Sequence, residues 1–67
     1  MRKIRFYAEN TPLLERVIEI IEDKYPCFFS RDYIEMNCSE IVVYCRAEDY
    51  NSICARIRLV AIRKEDI

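Results

Sequence analysis

Apolar and polar residues alternate along Lys3–Ala8, with Ile4, Phe6 and Ala8 on one side and Lys3, Arg5 and Tyr7 on the other. A period of two predicts a half-buried strand. The period then changes. Leu13, Leu14, Val17, Ile18, Ile20, Ile21 and Tyr25 form one broad apolar face at helical spacing, with Glu15, Glu19 and Glu22 opposite. Thr11 is placed to cap this helix, and Pro12 to occupy its first position, where a missing N–H costs nothing. Pro26 stops it. Alternation then returns twice. Phe28–Met36 reads as a second strand, with Ile34 and Met36 inward and Arg31, Tyr33 and Glu35 outward. Glu40–Arg46 reads as a third, with Ile41, Val43 and Cys45 inward. Asn37–Ser39 form the turn, and pairing Ile34 with Val43 and Met36 with Ile41 aligns the apolar sides.

From Glu48 onward the pattern predicts a final helix with two apolar faces. Ile53, Cys54, Ile57, Val60 and Ala61 make a core stripe, while Ala55, Leu59 and Ile62 recur on the opposite side. Arg58 runs down one flank, and Arg56 and Arg63 down the other. A helix covering one small sheet buries a single stripe. The second, framed by arginines, therefore predicts a contact surface for a partner.

The element order is β-α-β-β-α. The β-α-β crossover puts the first helix on one face of the sheet and the second helix joins it there. The expected fold is a two-layer α+β sandwich, one domain over residues 1–67. Its three-stranded sheet is antiparallel or mixed, with the third strand central, the second at an edge, and both helices on one face.

Composition narrows the function. With 67 residues, 52% hydrophobic and 34% charged, the chain is globular. A core of this size rarely supplies more than ~3–5 kcal/mol, which favours an oligomer or a bound partner. A net charge of -1 argues against a general nucleic-acid binder. The charges are segregated: Glu15, Glu19, Glu22 and Asp23 on the first helix, and Arg56, Arg58, Arg63 and Lys64 on the second. Such a split suits oriented docking. Met1-Arg2-Lys3 leads straight into a strand, and no apolar run reaches the ~18–20 residues of a membrane span, so a cytoplasmic protein is expected.

Four cysteines and no histidine give no zinc-knuckle spacing and no CxxC pair, so reduced, structural thiols are expected, with no metal and no cofactor. The absence of glycine removes the phosphate-cradling loops and the GXXG loop of KH domains. Little remains for nucleophilic catalysis, and the carboxylates lie on helix surfaces, so a non-enzyme is expected. Arg5, Tyr7, Arg31, Tyr33, Val42, Tyr44 and Arg46 share the outward parity of the sheet. Three readings fit that face. It is a single-stranded RNA platform, a protein interface, or ordinary strand composition.

The chain resembles the small Pcc-type (CTAG family) subunit of the KEOPS complex. The resemblance rests on Ile34 and Met36, on Ile41-Val42-Val43-Tyr44-Cys45-Arg46-Ala47-Glu48-Asp49, and on the spaced Ile53, Ile57 and Val60. Ala47 and Asp49 match the family's Ala-x-Asp step into its last helix. Phe28-Phe29 before Ser30, Ile53-Cys54 and Arg58-Leu59 depart from the family pattern, as in a divergent paralogue. The resemblance implies a non-catalytic assembly and dimerisation subunit for threonylcarbamoylation of tRNA position 37. It would form a homodimer, or a heterodimer with another Pcc-like chain, and dock on the Kae-type ATPase-fold subunit. Contact with tRNA would be indirect or weak.

Overall fold

The computed structural model describes residues 1–65, with side chains through Ile62. Its elements are β1 (Arg2–Glu9), α1 (Pro12–Lys24), β2 (Cys27–Glu35), β3 (Cys38–Cys45), a 3₁₀ turn (Ala47–Asp49), α2 (Tyr50–Ile57) and β4 (Ala61–Glu65). The fold is α+β: a four-stranded antiparallel sheet in the order β2-β3-β1-β4, with two helices. This is a split β-α-β arrangement, in which β1 and β3 lie at the centre.

Local chemistry explains the first half. Thr11 Oγ1 accepts the Leu14 N–H at 3.1 Å, so one of the orphan donors of α1 is satisfied, and Pro12 follows at the first position. The period-two pattern of β1 puts Ile4, Phe6 and Ala8 into the core beside Ile41, Val43 and Cys45 of β3. Leu14, Val17 and Ile21 of α1 and Ile53, Cys54 and Ile57 of α2 join the same cluster.

Two expectations fail here, and each has a physical cause. The final helix ends at Ile57. Its last turn tightens, with the Leu59 N–H donating to Arg56 O and the Val60 N–H to Ile57 O, and the chain then enters β4. A three-stranded sheet would leave the outer backbone groups of β1 unpaired. Ala61–Glu65 supplies their partners, with Ala61 opposite Ala8 and Arg63 opposite Tyr7. Four consecutive apolar residues, Leu59-Val60-Ala61-Ile62, also suit a chain leaving a helix better than one face of it. The sheet therefore has four strands, and Ala55, Leu59 and Ile62 do not share a helix face.

The second failure is the register of the β2–β3 hairpin. The turn is Met36-Asn37, and Asn37 takes the left-handed conformation (φ 69°), which asparagine tolerates in a chain without glycine. Phe29 lies opposite Val43 and Arg31 opposite Ile41, with a bulge between Tyr33 and Glu35. The parity of β2 is thereby reversed as far as Tyr33, while the bulge returns Glu35 to the outer face opposite Cys38, as expected. Ile34 and Met36 are exposed rather than inward. Arg31 and Tyr33 share the parity of Phe29, on the side of the helices, and not the outer face.

Candidate partner-docking site

The apolar side chains that remain exposed gather at one end of the sandwich. Leu13 sits in the first turn of α1, Leu59 in the turn after α2, and Ile62 is the extra residue where β4 bulges against Tyr7 and Ala8. They are 54%, 68% and 62% exposed, and together with Glu9, Thr11 and Val60 they line one groove. Ile62 also lines a second groove, with Tyr7, Ile34, Glu35 and Cys38. The two grooves adjoin at Ile62 on the β4 edge, their apolar side chains interspersed with Glu9, Thr11 and Glu35. Scattered surface leucines are ordinary, whereas several lining adjoining grooves mark a contact site.

The other residues of the expected docking set are dispersed. Ala55 is exposed on α2, and Arg58 is exposed at the helix end. Arg56 is half-buried, its guanidinium 5.9 Å from the centre of the Tyr25 ring, and its hydrogen bond holds the Tyr25 hydroxyl below its usual pKa. Arg63 and Lys64 belong to β4 and not to a basic helix; their side chains lie outside the described residues.

The outer sheet face is likewise redrawn. Arg5 pairs with Glu40 at 3.4 Å, and the Tyr7 hydroxyl donates to the same carboxylate at 3.3 Å. Arg46 is held by Asp49 at 2.9 Å and by Glu48 at 3.3 Å, which raises its pKa further. Tyr44 packs against Phe28, with ring centroids 6.1 Å apart. Phe28 was hidden from sequence reasoning by the parity error in β2. The Phe28-Phe29 doublet could have revealed it, because only one of two adjacent strand residues can face the core, here the half-buried Phe29.

Arg31 belongs to a different assembly. Its guanidinium donates to both carboxylate oxygens of Glu15 at 2.7 and 3.1 Å, to Asn10 Oδ1 at 2.8 Å and to Ser39 Oγ at 3.2 Å. It also lies 4.8 Å from the centre of the Tyr33 ring. The Arg31 hydrogen bond holds the Glu15 carboxyl below its ordinary pKa. This cluster ties β2, β3, α1 and the loop before α1 together, and nothing in it faces the grooves.

The thiols of Cys45 and Cys54 are buried in the core and that of Cys27 is half-buried. Burial pushes the Cys27 and Cys45 thiols up, away from the reactive thiolate. Excess reductant or chelator is therefore expected to leave the melting temperature unchanged; a clear fall on adding either would reveal a disulfide or a bound metal. Among the described residues no helix is long and apolar enough to cross a membrane.

No family model, no curated protein and no solved structure matches this chain.

Proposed function

We propose that the protein is a non-catalytic assembly subunit that docks on a protein partner through the β4 end of the sandwich. One observation carries this reading: exposed Leu13, Leu59 and Ile62, from three separate elements, converge on one groove beside Glu9 and Thr11. The small core, twelve buried apolar side chains among the described residues, adds weight, because a domain this small gains much from burying a further surface in an interface. The absence of histidine and the raised thiols of Cys27 and Cys45 favour a role without chemistry.

The resemblance to Pcc-type subunits names the partners to look for: a second Pcc-like chain and the Kae-type ATPase-fold subunit of a tRNA threonylcarbamoylation complex. β3 and the Ala47-Glu48-Asp49 step are compatible with that assignment, with Asp49 buried and bonded to Arg46, whereas Ile34 and Met36, on which the resemblance also rests, are exposed. The fourth strand weighs against it, since Val60 and the Arg58-Leu59 step lie beyond α2 rather than on a long last helix.

Co-purification at native expression levels tests both layers. Recovery of a Kae-type or Pcc-like chain, lost with Leu59→Glu, supports the KEOPS assignment. Specific recovery of some other protein, also lost with Leu59→Glu, keeps the assembly role and discards KEOPS. A monomer whose behaviour is indifferent to Leu59→Glu and Ile62→Glu would remove both.

A further inference from the structure

The outer face of the sheet is polarised. One row across three strands is Phe28–Tyr44–Lys3, and the next is Ser30–Val42–Arg5. The third row is Asp32–Glu40–Tyr7, continued on β4 by Arg63, so the acids of β2 and β3 stand at one end and the Phe28–Tyr44–Lys3 row at the other. Phe28 is 66% exposed, and nothing in the core explains an aromatic ring there. Its ring and that of Tyr44 are 6.1 Å apart and inclined at 38°, so they present two neighbouring aromatic surfaces. Lys3 stands beside Tyr44 on the central strand β1, and Ser30 and Val42 keep the adjoining row low.

We infer that this end of the sheet binds a short single-stranded RNA, with bases stacking on Phe28 and Tyr44 and a backbone phosphate held by Lys3. Stacking platforms of this kind combine aromatic rings with a cation that tracks the backbone. Tyr44 and Lys3 lie on the two central strands and Phe28 on the adjoining edge strand β2, so the surface runs across three strands. Arg5 and Arg46 contribute less, because Glu40, Asp49 and Glu48 engage them. The site lies at the opposite end of β3 from the Ile62 grooves, so it does not depend on the docking proposal.

The test is fluorescence anisotropy with the full chain and a labelled oligouridylate of about eight nucleotides, titrated at two salt concentrations. Phe28→Ala and Tyr44→Ala are each expected to weaken binding by about tenfold. Lys3→Gln should reduce the slope of log affinity against log salt by about 0.7. Leu59→Glu should bind like the wild type. All three aromatic and lysine positions lie on the outer face, and circular dichroism confirms that each variant is folded. Absence of salt-dependent binding overturns the inference, as does binding that Phe28→Ala and Tyr44→Ala leave unchanged. Variants that alter sedimentation of a protein complex and not the anisotropy would make this face a protein interface, which also overturns it.

Discussion

A chain carrying Ile57→Glu is expected to be unfolded at 25 °C, whereas Leu59→Glu, two residues further on, should keep the wild-type circular dichroism and melting temperature. Ile57 is fully buried at the end of α2, within the cluster that contains Phe6, Ile41 and Ile53. Replacing it forfeits about 1.5–3 kcal/mol of apolar burial and leaves a carboxylate with no partner in the core, at a cost of several more. A domain of this size has about 3–5 kcal/mol of stability to lose. Leu59 occupies the turn beyond the helix and is 68% exposed, so a charge there meets water. The contrast separates folding from association: Ile57→Glu abolishes both, and Leu59→Glu only the second. A folded Ile57→Glu chain would mean that α2 does not present Ile57 to the sheet. Unfolding of Leu59→Glu would mean that the groove is closed within the monomer.

Where one interaction dominates, the sequence is a good guide. Period-two patterns located β1 and β3, and Thr11-Pro12 and Pro26 bounded α1, because caps and proline act within a few residues. The errors lie where distant partners decide. Ile53, Cys54 and Ile57 are buried as a helical stripe should be, yet Val60 and Ala61 continue the same spacing while belonging to a turn and a strand. Their conformation follows from the unpaired edge of β1, more than fifty residues earlier. In β2 the apolar Ile34 and Met36 suggested one parity and Phe29 another. The bulge after Tyr33 lets the hairpin follow Phe29, and Arg31 is carried inward to its partners. Leu59 and Ile62 are legible in the sequence as exposed apolar positions, although the turn and strand that carry them are not. Leu13 was read as part of the broad buried face of α1, and its exposure emerges only once the end of the sandwich is assembled.

Arg31→Leu is expected to lower stability by about 2 kcal/mol, roughly half of what such a domain holds. Leucine removes four hydrogen bonds at once, and the fork onto Glu15 is the charge-assisted kind that contributes most. Ser39 Oγ, fully buried, keeps its bond to Asn10, but Asn10 and Glu15 lose the cation between them. Arg31→Lys should recover only part, since a single ammonium cannot reach Glu15, Asn10 and Ser39 in one geometry. The effect carries a pH signature. Arg31 depresses the folded-state pKa of Glu15, so this contribution is present above the ordinary carboxylate value of 4.5 and is lost as pH falls through the folded value. Glu15 is more than half exposed, and solvent screening keeps its share small. In the leucine variant that acid step disappears. The stability gap between wild type and variant, taken from urea midpoints, should therefore narrow between pH 7 and about pH 3. A gap that is equal at both pH values would show that the Glu15 pair contributes nothing and that Arg31 acts through Asn10, Ser39 and packing, and a gap below about 0.5 kcal/mol would show that the cluster does not hold the two layers together.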